Sequence, residues 1–133
     1  MIQRLATITL LVPDYDAGLA FYAGRLGFDL IEDTALSAAK RWVLVAPPGP
    51  EPRVRLLLAK AEGGTQIARI GDQTGGRVGF FLETDDFTRD HAAMTARGVA
   101  FLEPPRREAY GTVAVFRDPF GNTWDLIEPK PAV

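Results

Sequence analysis

The sequence predicts an α+β fold of two tandem βαβββ modules. Three observations carry this. The order strand, helix, strand, strand, strand can be read twice; Gly27 and Gly98 stand at matching places behind the two helices; and Gly63, Gly64, Gly71, Gly75 and Gly76 gather between the copies. A repeated supersecondary unit is the simplest account of such a pattern. The resulting organisation is a single domain over 1–133, with module one at about 1–60, a linker at about 61–76 and module two at about 77–129.

Residues 5–12 form the first strand, with Ile8, Leu10 and Val12 on one side and Thr7, Thr9 and Leu11 on the other. Pro13 ends it. Asp14 or Asp16 caps a helix over 15–25, whose Ala17, Ala20, Phe21 and Gly24 recur at helical spacing, and Gly27 closes that helix before a second strand at 28–31. Residues 40–46 and 53–59 are the third and fourth strands, separated by the stiff Pro-Pro-Gly-Pro-Glu-Pro loop at 47–52. The glycine spacing of 61–76 fits neither a phosphate-cradling loop nor a dinucleotide fingerprint, so this segment reads as a mobile crossover.

Module two repeats the series. Its first strand is 77–83, Thr84 or Asp85 caps a helix running to about Arg97, and Gly98 precedes a strand at 99–102 that Pro104 and Pro105 break. A strand at 110–116 leads into the closing hairpin. There Pro119 presets φ for the turn, Gly121 and Asn122 supply positive φ, and the last strand alternates Trp124 and Leu126 against Thr123, Asp125 and Ile127.

Composition narrows the function. A hydrophobic content of 47% with 24% charged residues is that of an ordinary globular chain. The net charge of -2 and the lack of any basic run give no attraction to nucleic acid or to an anionic membrane. With no cysteine, thiolate zinc sites, disulfides and cysteine nucleophiles are excluded. No apolar stretch nears the ~18 residues of a membrane span, and no leader pattern opens the chain, so a cytoplasmic location is expected.

The Pro-Asp-Tyr-Asp, Ala-Phe-Tyr and Leu-Gly-Phe segments of module one, with Phe-Arg-Asp-Pro-Phe-Gly-Asn-Thr-Trp-Asp-Leu-Ile-Glu at 116–128, resemble the vicinal oxygen chelate superfamily. Its members include glyoxalase I, fosfomycin- and bleomycin-resistance proteins and extradiol dioxygenases. The resemblance spans essentially the whole chain. It implies curled mixed sheets around a concave cleft, a homodimer and, in metal-using members, a divalent ion (Mn, Fe, Ni, Zn or Mg) on histidine and carboxylate ligands. The first histidine position falls on Thr7, the second within Arg77, Val78 and Gly79, and the first-module carboxylate on Arg55. Asp125 is the one ligand-type residue that survives, so no tightly bound metal is expected.

Strand alternation assigns Thr7, Thr9, Arg53, Arg55, Arg77, Phe81, Thr123 and Asp125 to one face; Tyr110 is a further candidate whose phenol could reach it, core packing with a wet hydroxyl being the plainer reading. Guanidinium groups, hydroxyls, one carboxylate and an aromatic ring suit a small polar or anionic organic molecule. A simple ion pair between Arg55 or Arg77 and Asp125 is the plainer reading of the same residues. His91, the only histidine, reads as a packed or rim imidazole on a helix stripe, and the Asp85-Asp86 pair as helix capping. Trp42 and Trp124 read as strand-borne packing or dimer-contact aromatics that could also stack on a ligand. Binding or sequestration is the leading expectation. A metal-dependent lyase, isomerase or dioxygenase and a non-catalytic dimerisation or regulatory module are its competitors.

Overall fold

A computed structural model describes residues 1–131. The chain divides into two compact units, Met1–Ile70 and the part from Gly71 onward, with the boundary inside the glycine-rich segment.

In the first unit the strands are β1 (Thr7–Val12), β2 (Asp29–Ala35), β3 (Arg41–Ala46) and β4 (Arg55–Lys60), in the sheet order β1-β4-β3-β2. β1 runs parallel to β4, and the remaining pairs are antiparallel. Parallel neighbours need a crossover, which the intervening helix and strands supply. Helix α1 (Tyr15–Leu19) is capped by Asp14, whose carboxylate accepts the Ala17 N–H at 2.7 Å. It continues as a π-helical segment, Ala20–Arg25, closed by the Leu26 N–H on the Phe21 carbonyl. The wider turn rotates the buried stripe, so Phe21 and Tyr22 enter the core whereas Ala20 and Gly24, which the 3.6-residue spacing placed on it, are exposed. The helical face of the sheet is Leu10, Val12, Val43, Val45, Leu56 and Leu58, all buried. A Cβ on Gly18 would stand 3.2 Å from both Leu58 Cδ1 and Val12 Cγ1, so its lack of a side chain lets the helix lie close on the sheet.

The second unit holds β5 (Phe80–Glu83), β6 (Ala100–Phe101), β7 (Arg106–Glu108), β8 (Gly111–Arg117) and β9 (Thr123–Pro129). Its sheet order is β5-β9-β8-β6, with β7 also pairing β8; β5 is parallel to β9 and the rest are antiparallel. This is the connectivity of the first unit with the second strand split in two. The split follows from Pro104 and Pro105, which cannot donate to a ladder. Glu103 repairs the gap: its carboxylate accepts the Val115 N–H at 3.1 Å.

Helix α3 (Phe87–Ala96) is capped by Asp86 rather than by Thr84 or Asp85, because Asp86 is the residue whose carboxylate accepts the Arg89 N–H. Thr84 instead accepts the Asp86 N–H and bonds to Asp90. Asp85 pairs with Arg89 at 2.8 Å. Phe87 and Met94 are buried, and Glu128 of β9 accepts the Phe87 N–H at 2.7 Å, fastening the helix start to the last strand. Trp124 lies in the core, stacked on Phe80 at 4.5 Å and on Phe116 at 5.8 Å.

The segment read as a mobile crossover is partly built. It carries a short helix, α2 (Gly63–Ile67), and Gly71 is pinned at φ 72° where an added Cβ would lie 1.9 Å from the Phe120 carbonyl oxygen. In the closing hairpin Gly121 takes the positive φ, 111°, while Asn122 contributes its side chain instead.

Candidate functional site

Each unit has a sheet face turned away from its helix, and the candidate residues divide between them. In the first unit Thr7 is the register partner of Arg55, and Thr9 of Leu57. Leu57 in turn pairs with Leu44, which lies two residues from Trp42 and so shares its side of the sheet. Thr7 and Thr9 are exposed, and Trp42 keeps 39% of its surface in solvent. Trp42, Leu57 and Ala59 border a cavity of about 260 Å³ whose rim carries Lys40, Glu62 and Gln66. Arg55 is half-buried with its guanidinium 3.6 Å from the Glu51 carboxylate.

Arg53 does not belong to this face. The ladder of β4 begins at Arg55, whose N–H bonds the Ala6 carbonyl, so alternation does not extend back to Arg53. Its guanidinium instead ties the proline-rich loop to β2, meeting Asp29 at 2.6 Å, the Pro47 carbonyl at 3.0 Å and Glu51 at 2.9 Å.

In the second unit Phe81 and Asp125 are register partners, and Asp125 is also paired with Val115 on its other side. Phe81 is 66% exposed. Oδ1 of Asp125 is buried and, among the described residues, has no hydrogen-bond partner. Burial pushes this carboxyl above the usual aspartate range; Arg106 pulls the other way, and the Glu103 carboxylate adds to the rise.

Arg77 falls outside β5, which begins at Phe80 because Gly79 is the first residue to bond the β9 backbone, through the Thr123 carbonyl. Its side chain is exposed, and its carbonyl accepts from the Thr74 hydroxyl at 2.6 Å and the Thr123 hydroxyl at 3.3 Å. Tyr110 precedes β8 and is 54% exposed, and its side chain hydrogen-bonds to Arg106.

Three residues on this face were not anticipated. Arg106 donates to Glu103 at 2.9 Å and to Glu108 at 2.8 Å, placing a compensated guanidinium near Asp125. In the run Glu-Pro-Pro-Arg-Arg-Glu at 103–108, alternation puts Arg106 on one side with Glu108 but gives no reason for Glu103 to join them. His91 lies on the helical side, stacked on Phe87 at 5.4 Å and tilted against Phe101 at 4.2 Å.

A divalent ion does not fit these residues. Among the described residues no three histidine, aspartate or glutamate side chains gather as a donor set. Of the positions at which the superfamily resemblance implies ligands, Thr7 carries a hydroxyl, Arg55 and Arg77 carry guanidinium groups, and Asp125 alone carries a carboxylate. Glu128, the other carboxylate of β9, is engaged at the start of α3.

Two βαβββ units with mixed sheets, each with a non-helical face carrying polar and aromatic side chains, define an α+β architecture of the glyoxalase type. Residues 4–126 match the profile of the Glyoxalase/Bleomycin resistance protein/Dioxygenase superfamily, and the chain belongs to that superfamily. It is 51% identical over 129 residues to an uncharacterized protein of Shewanella frigidimarina (strain NCIMB 400), covering 96% of this chain and 95% of that one. Among solved structures, UcmS2 superposes with a TM-score of 0.82 at 30% identity, over 96% of this chain and 99% of its own. TnmS3, an antibiotic binding protein from Streptomyces sp. CB03234, superposes with a TM-score of 0.76 at 32% identity, over 97% and 98%.

Proposed function

We propose that this protein binds and sequesters a small polar aromatic molecule on its non-helical sheet faces and does so without a resident metal. The observation that carries this reading is the pairing of an exposed aromatic ring, Phe81, with a buried carboxylate oxygen on Asp125 that lacks a donor among the described residues. An unpartnered buried acceptor is costly, and a ligand O–H or N–H would relieve it while the ligand ring covers Phe81. Trp42, at the edge of the first-unit cavity, is a second stacking surface.

Charge favours a neutral polar ligand over an anion. Arg106 is matched by two glutamates, Arg53 by Asp29 and Glu51, and Arg55 lies beside Glu51, so these three guanidinium groups are already compensated. Similarity to TnmS3 supports the antibiotic class as the first place to look. A cytoplasmic homodimer is the form in which we expect the protein to act.

The test is a thermal-shift screen of polar aromatic antibiotics, followed by titrations monitored through tryptophan fluorescence. A hit should raise the melting temperature of the wild-type protein, since a native-state ligand stabilises by mass action. Phe81→Ala and Asp125→Ala should each weaken it by at least ~10-fold. Hits indifferent to both substitutions, or no hit across the panel, would refute the reading.

A further inference from the structure

The helical side of the second sheet carries a separate groove of about 350 Å³ between α3 and the β7–β8 strands. Thr88, His91 and Ala92 form its helical wall at i, i+3 and i+4, while Arg107 and its register partner Thr112 form the strand wall, with Pro105 at the end. This volume lies within the range of small-molecule sites. Among the described residues no carboxylate lines it.

Alternation along β7 explains why. Arg106 and Glu108 turn to the other face and satisfy one another there, leaving Arg107 alone on the helical side. Among the described residues Arg107 has no ion-pair partner. The acidic residue next along that face, Glu128, pairs in register with Thr112 and is committed to the Phe87 N–H. The His91 ring is held between Phe87 and Phe101, so the groove wall is ordered before any ligand arrives.

We propose that this groove is a second small-molecule site, specific for a monocarboxylate with a compact apolar body. The Arg107 guanidinium takes the carboxylate, whose planar pair of oxygens matches its fork. The Thr88 and Thr112 hydroxyls and the His91 imidazole supply further donors, and Ala92 and Pro105 form the apolar surface under the ligand body. The proposal is independent of the opposite face, because none of the residues assigned there borders the groove.

The chain contains one histidine, so its imidazole signals in an NMR spectrum are assigned without ambiguity. Titrating benzoate into the full-length protein should shift the His91 signals saturably, while benzamide, of like shape but neutral, should leave them in place. Arg107→Gln and Thr112→Val should each weaken benzoate, the former by about tenfold, as loss of a charge-assisted contact implies. Arg4→Gln, an identical charge change at an exposed first-unit residue that does not line the groove, should bind benzoate as the wild type does. The proposal is overturned by an unsaturable or absent shift, by an equal response to benzamide, by undiminished binding in Arg107→Gln, or by inorganic phosphate displacing benzoate at lower concentration than benzoate itself binds.

Discussion

Phe81 and Asp125 stand side by side across the parallel β5–β9 pair, one presenting an open aromatic ring and the other a carboxylate oxygen sealed from solvent with no donor among the described residues. The pairing has a thermodynamic signature. Because burial raises the folded-state affinity of Asp125 for its proton, the folded protein favours the neutral acid more than the unfolded chain does. Its contribution to stability is therefore intact below the unfolded aspartate range near pH 4 and is lost as pH rises through the raised folded value. Asp125→Asn, which is neutral throughout, should melt above the wild type at pH 7, with the gap closing toward pH 4. A gap that widens on acidification, or a mutant less stable at pH 7, would contradict this assignment.

Metal binding separates sequestration from ion-dependent chemistry. With a hydroxyl at Thr7 and guanidinium groups at Arg55 and Arg77 where the superfamily resemblance implies ligands, calorimetric titration of metal-stripped protein with Mn, Fe, Ni or Zn should show no saturable heat. A single tight equivalent per chain, abolished by Asp125→Ala, would overturn the metal-free reading and direct attention to an enzyme acting on vicinal oxygens.

Trp42 tests the stacking role in the first unit. It is partly exposed, whereas Trp124 is buried between Phe80 and Phe116, so the two indoles report on different environments. A ligand that uses the first-unit cavity should quench the exposed indole, and Trp42→Phe should remove most of that quenching while preserving the fold. Trp42→Ala should weaken such a ligand by roughly 10-fold, the usual scale for a lost aromatic contact. Quenching that persists in Trp42→Phe would place the ligand elsewhere.

Features set by neighbours in sequence were the legible ones. Gly27 and Gly98 take φ of 84° and 86° behind their helices, and the β9 alternation of Trp124 and Leu126 against Asp125 follows directly from period 2. Strand ends were less legible, since they depend on where a partner's backbone groups begin. Arg53 and Arg77 each lie just beyond the first ladder bond of β4 and β5, and so escaped the alternation that was extended to them. The π-helical turn has no local signature in Ala20–Arg25, and Tyr22 rather than Ala20 fills the core because of it. The Glu103–Arg106–Glu108 cluster was invisible for a related reason: Glu103 is drawn in by an N–H on Val115, twelve residues away, that the proline break leaves without a strand partner.

Gly71 tests whether the crossover is fixed where it meets the second unit. An added Cβ would collide with the Phe120 carbonyl, and the backbone is already in the left-handed region, so the substitution adds a clash to conformational strain. Gly71→Ala should cost about 2–3 kcal/mol in denaturant unfolding, whereas Gly64→Ala, in open space at negative φ, should cost less than about 0.5 kcal/mol. Equal, small costs at both sites would mean that the segment is free of the hairpin.

The hairpin itself depends on Asp118. This side chain is 1% exposed, and its Oδ1 accepts the N–H groups of Phe120, Gly121 and Asn122, each at 2.9 Å, while Oδ2 accepts the Asn122 side-chain amide at 2.7 Å. Truncation strands several buried donors at once, which is far more damaging than losing one exposed contact. Asp118→Ala should destabilise by about 3 kcal/mol and lower the melting temperature by roughly 10 °C. Asp118→Asn keeps an acceptor for the three backbone groups but sets an amide against Asn122, and should fall between the two. Since β9 carries Asp125, Asp118→Ala should also weaken any ligand of that carboxylate, a loss visible by titration well below the mutant's melting range; unchanged binding in a destabilised mutant would uncouple the hairpin from the site.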